Sequence, residues 1–387
     1  MELLKNNVCA PMGFKALGKA IGIKKSGRHD LAVIFSKVLA DAAAVYTSNE
    51  VKGAPLIVTK NHLKNGKAQA VVVNSGVANV CTGEKGIKDA ENMASMAAKE
   101  MGISPNDVIV ASTGVIGKFL PMEKIASGLK GIKSQLSANS EVAMAIMTTD
   151  TAEKSIAVKE DNFTIGAIAK GSGMIHPNMA TMLCFITTDA KIPAKKLHSM
   201  LKSSVNQSFN MISVDMDTST SDMAAIMANG LAGKADEKKF QNALDYICTE
   251  LAKKIARDGE GATKLMQVNV KNAATDEDAK KIAKAVVSSN LVKCAVYGND
   301  PNWGRIMCAA GNSGAKFDQE KIDIYFDNEA IVKNGTGVDF NYEQIKKIMG
   351  KEKLDITLDL KNGNKNATAY GCDMTEEYIK INALYTT

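Results

Sequence analysis

The order of apolar segments along the chain predicts an α+β fold with layered sheets. Candidate strands come in pairs, at residues 31–35 with 42–46 and at residues 155–158 with 163–168, and the second pair forms a hairpin. Amphipathic helices lie between these pairs, but strands and helices do not alternate steadily. This order disfavours a doubly wound parallel sheet or an α/β barrel. With 387 residues, the chain has room for one large domain and a smaller one.

The first hundred residues contain loops, one further strand and a helix. Residues 1–30 are interrupted by glycine and proline and are predicted to be loop-rich. A strand at residues 68–73 ends at a turn signal, Asn74-Ser75-Gly76. The next helix opens at residues 82–84 and keeps apolar residues three or four apart as far as Met101. Gly102 is placed to end that helix.

A glycine turn follows the strand predicted at residues 107–111. It reads Ser-Thr-Gly-Val-Ile-Gly-Lys over residues 112–118. A chain that leaves a strand in such a turn can direct backbone N–H groups into a cleft. The run matches only half of a phosphate-binding P-loop, at the wrong spacing, so we reject nucleotide binding here. One helix is predicted after it, and its core-facing positions are Ile125, Leu129, Ile132 and Leu136.

The second half of the chain begins its regular structure with a strand at residues 182–186, after an irregular loop at residues 171–180. Helices are predicted at residues 197–209 and 237–257, and a tight loop then places Glu260 between two glycines. A strand at residues 265–270 follows. The later elements are shorter: a helix near 276–287, a turn at 299–305, strands at 321–326 and 353–360, and a tail at 382–387. This change predicts a main domain at residues 1–270 and a C-terminal α+β domain at residues 271–387.

The composition excludes several classes of function. The net charge is +6, without a basic run of five or more, so nucleic acid is not an expected partner. Seven cysteines are scattered, and no apolar segment is long enough for a signal sequence or a membrane span. We therefore expect a cytoplasmic protein with reduced thiols and no membrane association. The four histidines have no ligand-like spacing, so no metal site is expected.

Thr181 lies between the irregular loop and the strand at residues 182–186, directly after the small residue Ala180. An ordinary threonine at the start of a strand is the simplest interpretation. The alternative is a nucleophile whose base is its own α-amine, freed by cleavage of the Ala180–Thr181 bond. An α-amine has a pKa of about 8, so part of it is neutral at physiological pH. The Thr181 hydroxyl would attack the Ala180 carbonyl, and water would hydrolyse the resulting ester.

Nine ordered segments carry a resemblance that covers nearly the whole chain. They are residues 70–76, 81–84, 112–117, 147–151, 170–181, 217–220, 258–263, 291–293 and 298–305. The most specific read Lys-Gly-Ser-Gly-Met-Ile-His-Pro-Asn-Met-Ala-Thr at residues 170–181 and Asn-Asp-Pro-Asn-Trp-Gly-Arg at residues 299–305. Through them the chain resembles the glutamate N-acetyltransferase family, also called the ornithine acetyltransferase family, of arginine biosynthesis.

The resemblance implies an enzyme with the layered α/β sandwich of self-processing ornithine acetyltransferases. It implies a precursor that cleaves itself between Ala180 and Thr181 into an α chain of residues 1–180 and a β chain of residues 181–387, joined in an α2β2 heterotetramer. Thr181 would take acetyl from N-acetyl-L-ornithine and pass it to L-glutamate, which is a ping-pong mechanism. No resident cofactor is implied.

The resemblance also implies roles for individual residues. Thr113 and Gly114 correspond to the oxyanion hole that stabilises each tetrahedral intermediate. The implied substrate-binding residues are Thr148, Lys170, Thr181, Glu260, Asn382 and Thr387. Lys170 would hold a substrate carboxylate and Glu260 a substrate ammonium group.

Several points stay open at the level of sequence. Any threonine of residues 148–151 could make the substrate contact, although we favour Thr148. Val77 and Met216 stand where the family more often has Asn and Gly.

Two other functions fit the same sequence. One is an amidase with the same self-processed nucleophile, and the other is a non-catalytic binding protein for acetylated amino acids. The sequence does not decide whether acetyl-CoA is a second acetyl donor.

Overall fold

A computed structural model describes residues 1–138, 141–176 and 182–384 of the chain. Ala180, Thr181 and Thr387, which the resemblance places in the cleavage and substrate sites, lie outside the described residues. The described strands form two sheets, one of nine strands and one of seven. No described helix is both long enough and apolar enough to cross a membrane.

The strands are numbered in chain order. They are β1 (Glu2–Leu4), β2 (Phe14–Lys19), β3 (Leu31–Tyr46), β4 (Lys67–Val77), β5 (Val108–Val115), β6 (Lys154–Glu160), β7 (Phe163–Lys170), β8 (Leu183–Lys191), β9 (Ile212–Ser213), β10 (Met223–Lys234), β11 (Leu265–Ala273), β12 (Asp323–Phe326), β13 (Glu329–Lys333), β14 (Thr336–Gly337), β15 (Lys353–Asp359) and β16 (Lys365–Cys372). The larger sheet has the order β1-β6-β7-β8-β10-β3-β4-β5, with β2 on β3, and the smaller one has the order β14-β13-β12-β15-β11-β16-β9.

The α-helices are also numbered in chain order. They are α1 (Ala54–His62), α2 (Gly83–Met101), α3 (Met122–Leu129), α4 (Ile132–Gln135), α5 (Val142–Ile146), α6 (Ala194–Gln207), α7 (Glu237–Arg257), α8 (Asp276–Ser288), α9 (Asn290–Tyr297), α10 (Trp303–Gly311), α11 (Tyr342–Met349) and α12 (Glu376–Leu384). The predicted ends of two long helices are confirmed. Gly102 ends α2 in the left-handed conformation, and the side chain of Asp236 accepts a hydrogen bond from the first turn of α7.

The long strand β3 joins two layers of the larger sheet. Its first part pairs with β4, its last part pairs with β10, and the pairing with β4 is irregular between Phe35 and Ala40. Side chains from both parts meet in one core, where Ile34 and Val71 of one layer share a cluster with Phe185 and Ala225 of the other. An irregularity of this kind bends a strand, which lets one sheet form two facing layers.

Helices cover the outer face of each layer. Helices α2 and α3 pack on β3, β4 and β5, whereas α6 and α7 pack on β7, β8 and β10. Alternate residues of β8 therefore enter different cores: Cys184 and Ile186 face α6 and α7, and Leu183 and Phe185 face the inner core. The predicted α+β sandwich is confirmed.

The smaller sheet packs against helices of its own. Helix α8 lies on β11 and β16, and the apolar residues of α10 and α11 complete that core. Two residues of β16, Tyr370 and Cys372, belong instead to the core around α7, so β16 joins the two halves of the molecule. Because β9 at residues 212–213 also pairs with β16, the smaller sheet takes a strand from within residues 1–270. The domain division near residue 270 stays a prediction.

The structure corrects several predicted elements. Residues 31–35 and 42–46 belong to the single strand β3, and the loop-rich start contains β1 and β2. The helix predicted through Ile125 and Leu136 is two helices, because Gly131 between them has a φ of 67°. The turn at residues 299–305 is shorter than predicted, since α10 begins at Trp303, and the tail residue Asn382 lies within α12.

The sequence prediction missed β10 at the centre of the larger sheet. Its sequence is Met-Ala-Ala-Ile-Met-Ala-Asn-Gly-Leu-Ala-Gly-Lys, in which small residues outnumber the β-branched and aromatic residues typical of strands. The strand is fixed by its neighbours, since it pairs in parallel with β8 and antiparallel with β3. The pairing of β10 with its two neighbouring strands thus outweighs the low strand propensity of its residues.

Candidate active site

Six of the predicted site residues line one cavity of about 100 Å³. They are Thr113, Gly114, Thr148, Lys170, Glu260 and Asn382. The other lining residues are Ala78, Ile116, Thr149, Gly173, Met174, Ser219, Thr220 and Ser221. The six come from five separate parts of the chain, so the fold collects in one place residues that are as much as 269 positions apart in sequence.

The end of β5 supplies Thr113 and Gly114. Gly114 pairs with Gly76 of β4, and the ladder becomes irregular at the next residue, Val77. A side chain at position 114 would overlap the backbone of Gly76, and the φ of 127° at Gly114 also favours glycine. The glycine turn predicted after this strand therefore has a steric cause, which is the close approach of β4 and β5.

Lys170 ends β7 and is held beside a buried carboxylate. Asp150 accepts hydrogen bonds from the backbone N–H of Gly171 at 2.7 Å and of Thr148 at 3.0 Å, and from the ammonium of Lys154 at 2.7 Å. Burial tends to raise the pKa of Asp150, but the charges of Lys170 and Lys154 outweigh that effect and set it at about 2. Asp150 is thus ionised and fixes the backbone on both sides of the cavity.

The ion pair of Lys154 extends to a second carboxylate. Lys154 is fully buried and lies 2.5 Å from Asp258, which also accepts hydrogen bonds from the backbone and the hydroxyl of Thr151. The carbonyl of Asp258 accepts a hydrogen bond from Ser172 at 2.7 Å. This network ties residues 148–154 and the loop after β7 to the end of α7.

The geometry also separates the threonines of residues 148–151. Thr151 is engaged with Asp258, whereas Thr148 and Thr149 line the cavity. The choice between these two stays open, and Thr148 remains the favoured residue.

Glu260 reaches the cavity from the loop between α7 and β11. Its side chain is 8% exposed, its backbone N–H donates to the carbonyl of Ser172 at 3.1 Å, and its carboxylate accepts a hydrogen bond from Asn382 Nδ2 at 2.8 Å. A side chain at Gly173 would overlap the Glu260 carboxylate. A larger residue at position 173 would therefore displace the Glu260 carboxylate, and α12 closes the cavity through Asn382.

Asp222 is a buried carboxyl group that the sequence reasoning did not single out. It follows the lining residues 219–221, and within the described part of the chain its Oδ2 has no hydrogen-bond partner. Burial raises its pKa well above the usual range, against a hydrogen bond from Ser219 and the charge of Lys170. The sequence shows that Asp222 belongs to the polar segment 217–222, but it does not show that this carboxyl group is buried.

His176 makes hydrogen bonds to neighbouring loop residues and does not line the cavity. Its Nδ1 lies 3.0 Å from the Ser213 hydroxyl, and its carbonyl accepts a hydrogen bond from Thr218. Burial, reinforced by the charges of Lys284 and Lys293, lowers its pKa to about 4. It is therefore neutral at physiological pH, and its hydrogen bonds join residue 176 to Ser213 and Thr218.

The described chain resumes at Met182, one residue after Thr181. The carbonyl of Met182 accepts a hydrogen bond from Met223 at 3.0 Å, and Leu183 pairs with Lys170. The segment that follows Thr181 is thus attached beside Lys170. Among the residues that the structure describes, no group of three or more His, Cys, Asp or Glu side chains could hold a metal ion.

Comparison with known proteins identifies the family. The model of the ArgJ family matches residues 15–387. The chain belongs to the ArgJ family. The arginine biosynthesis bifunctional protein ArgJ of Symbiobacterium thermophilum is 48% identical to it over 402 residues, and that of Listeria monocytogenes serotype 4b is 47% identical over 399 residues. Both alignments cover the whole of both chains.

A solved structure shows the same relationship. The crystal structure of the arginine biosynthesis bifunctional protein argJ from Bacillus halodurans has a TM-score of 0.52 and 45% identity to this ArgJ-family chain. The match covers 53% of this chain and 100% of the solved one.

Proposed function

We propose that this ArgJ-family protein is a cytoplasmic acetyltransferase of arginine biosynthesis that moves acetyl from N-acetyl-L-ornithine to L-glutamate. The observation that carries the proposal is the convergence of Thr113, Gly114, Lys170, Glu260 and Asn382 on one cavity. The segment that bears Thr181 rejoins the described chain beside Lys170.

The charges of the cavity suit two amino-acid substrates. Lys170 is 9% exposed, and no carboxylate of the described residues forms a salt bridge with it. It is placed to bind a substrate carboxylate, and Glu260, oriented by Asn382, to bind a substrate ammonium group. Ornithine and glutamate each carry a carboxylate, and an amine is the group that gains or loses acetyl.

The proposed reaction has two half-reactions that share one nucleophile. The Thr181 oxygen attacks the acetyl carbon of N-acetylornithine, and the α-amine of Thr181 takes the hydroxyl proton. The C–N bond of the acetyl group then breaks as that proton passes to the ornithine nitrogen. The glutamate amine then attacks the acetyl ester, and its proton returns to the Thr181 oxygen. Thr113 and Gly114 stabilise the oxyanion of both intermediates.

The proposal includes self-cleavage at Ala180–Thr181 and an α2β2 assembly of the two products. The length of the matched Bacillus halodurans chain supports the cleavage. That chain is fully covered by 53% of this one, and residues 181–387 are 207 of 387 residues, which is also 53%.

Steady-state kinetics with and without glutamate test the proposal. With both substrates, we expect parallel double-reciprocal lines, as ping-pong transfer requires. Without glutamate, ornithine release should stop after about one equivalent per Thr181 site, because the acetyl ester waits for an amine. Continued release without glutamate would instead identify an amidase. Binding of N-acetylornithine by an uncleaved chain without any release would identify a binding protein.

A further inference from the structure

Asp222 is a buried acid beside the candidate active site that the proposed reaction does not yet use. Within the described part of the chain, its Oδ2 has no hydrogen-bond partner. Buried polar atoms of folded proteins are nearly always paired, so an unpaired one calls for a functional explanation. Stability alone does not explain an acid at this position, because a buried carboxyl group with an unpaired oxygen destabilises the fold.

One hydroxyl group joins Asp222 to the cavity. The side chain of Ser219 donates a hydrogen bond to the Asp222 carboxyl group, and Ser219 lines the cavity. The backbone N–H of Ser221, which also lines the cavity, donates to Ser219 Oγ at 3.2 Å. A hydroxyl both donates and accepts hydrogen bonds, so Ser219 can pass a proton between the buried acid and a ligand in the cavity.

Asp222 also lies beside the strand that follows the proposed nucleophile. Met223 of β10 pairs with Leu183 of β8, and its N–H donates to the Met182 carbonyl at 3.0 Å. Asp222 directly precedes Met223, and Thr181 directly precedes Met182. The buried acid is therefore at the edge of the sheet where the chain leads to Thr181.

The surroundings of Asp222 favour its protonated form. Burial raises its pKa well above the usual range, against the hydrogen bond from Ser219 and the charge of Lys170 on β7. Both opposing groups line the cavity. A further positive charge that forms in the cavity would also stabilise the carboxylate, so the ionisation of Asp222 responds to the charge of the ligand.

The other elements beside Asp222 add no buried charge within the described residues. On β3, Thr47 donates its backbone N–H to the Asp222 carbonyl at 3.0 Å, and Tyr46 is neutral because burial raises its pKa. The loop after β3 carries Glu50 and Lys52, but both are exposed to solvent. The first residues of β8 are apolar. The proton on Asp222 is therefore controlled from the cavity.

The two half-reactions require a group that gives and takes one proton. Ornithine leaves as an ammonium ion, but the hydroxyl proton of Thr181 makes its nitrogen only a neutral amine, so one more proton must be supplied. Glutamate arrives as an ammonium ion and must lose one proton before its nitrogen can attack the acetyl ester. One proton is thus consumed in the first half-reaction and released in the second.

We propose that Asp222 holds this proton and exchanges it with the amine substrates through Ser219. In the first half-reaction, Asp222 gives its proton to the Ser219 oxygen, which passes its own proton to the ornithine nitrogen. In the second, the glutamate ammonium returns a proton by the same route, and Asp222 is neutral again. Each ammonium that forms in the cavity is matched by the Asp222 carboxylate. This inference rests on the proposed function.

The test compares two acetyl acceptors on one acetyl enzyme. The acetyl enzyme is prepared with N-acetylornithine, freed of ligands and mixed with either glutamate or hydroxylamine. Hydroxylamine is already a neutral amine at physiological pH, so no group has to remove a proton before it attacks the ester. The variant D222N keeps the buried position uncharged and should fold, as circular dichroism will verify.

We expect D222N to slow acetyl transfer to glutamate about 100-fold or more, a usual contribution of acid–base catalysis, and to leave transfer to hydroxylamine within about twofold. Transfer to glutamate by D222N should also rise about tenfold per pH unit near neutral pH, because only the free amine reacts, whereas wild type should rise less steeply. S219A should show the same selective loss. The matched control, E50Q, changes a carboxyl group that is 99% exposed and should change neither rate.

Three results would overturn the inference. An unchanged rate with glutamate in D222N would show that the proton passes to water or to the Thr181 α-amine. An equal loss with both acceptors would show that Asp222 acts only through packing. A selective loss in D222N but not in S219A would exclude the route through Ser219. Failure of the wild-type enzyme to form an acetyl ester from N-acetylornithine would instead contradict the proposed function.

Discussion

Asp150 links the stability of the protein to its candidate active site. Its carboxylate is buried, binds Lys154 at 2.7 Å and accepts hydrogen bonds from the backbone N–H groups of Thr148 and Gly171, which flank the cavity. Loss of this charge would leave the buried ammonium of Lys154 with Asp258 in place of two carboxylates, and would weaken the hydrogen bonds from the two backbone N–H groups. Substitution of Asp150 should therefore affect folding and catalysis together.

The variant D150N should lower the free energy of unfolding by about 3 kcal/mol, since removing one member of a buried ion pair costs about this much. D41N, which breaks the more exposed pair with Lys67, is the control and should cost less than about 1 kcal/mol. Urea unfolding of both variants measures the difference. Equal losses in the two variants would contradict the role assigned to Asp150.

The effect of Asp150 should depend on pH. Its pKa in the folded protein is about 2, below the unfolded value of about 3.9. Its ionised form therefore stabilises the fold above about pH 4, and this contribution is lost as the pH falls through about 2. Unfolding between pH 6 and pH 2 should show the gap between wild type and D150N closing with acid. A gap that is constant over that range would show that ionisation is not its cause.

Met216 carries local backbone strain. Its φ of 70° lies in the left-handed region, and its side chain is 53% exposed. The variant M216G should raise the free energy of unfolding by about 0.5–1 kcal/mol, because relief of the strain exceeds the entropy that glycine adds to the unfolded chain. Thermal unfolding measures it, with M144G at a helical position as the destabilised control. Destabilisation by M216G would show that the side chain contributes packing that outweighs the strain.

At the scale of elements, α12 completes the candidate site through one side chain. Asn382 donates to Glu260 at 2.8 Å and to the Tyr378 carbonyl at 3.0 Å. N382A should raise the KM of the substrate whose ammonium group Glu260 binds by about tenfold, since a hydrogen bond to a charged group is worth about 1.5–3 kcal/mol. The kcat should change less, because the hydrogen bond from Asn382 orients the proposed ammonium-binding carboxylate of Glu260.

Lys380 on the same helix provides the control for N382A. Its salt bridge to Glu377 is exposed at both ends, so K380A should leave the KM unchanged. Michaelis–Menten measurements on N-acetylornithine and glutamate separate the two variants. A rise in KM for K380A equal to that for N382A would mean that α12 acts through its general stability and not through Asn382.

The elements differ in how far the sequence predicts them. Regular apolar spacing predicts α2 and α7, and two neighbouring strand segments at residues 155–158 and 163–168 predict the β6–β7 hairpin. The small residues of β10 give no comparable signal, and the bend in β3 depends on pairing with two different strands. Such features are decided by contacts between distant segments, which local patterns do not contain.

At the scale of the molecule, the layered sandwich brings the site together. Parallel β4 and β5 end at the cavity, β7 ends there with Lys170, and β8 and β10 begin there. The smaller half adds Asn382. Spacing within the sequence could suggest Thr181 as one option, but Glu260 and Asn382 were found only through the family resemblance. The network of Asp150, Lys154 and Asp258 joins residues more than 100 positions apart and was missed for that reason.

The central claim is that Thr181, freed by self-cleavage, carries the acetyl group. Mass spectrometry of the purified protein after incubation with N-acetylornithine, without glutamate, tests it most directly. We expect two chains, residues 1–180 and 181–387, with one acetyl group on Thr181 that disappears when glutamate is added. T181A should give one uncleaved chain of 41.2 kDa without acetyl. An uncleaved wild-type chain that still transfers acetyl, or an acetyl group on another residue, would contradict the role proposed for Thr181.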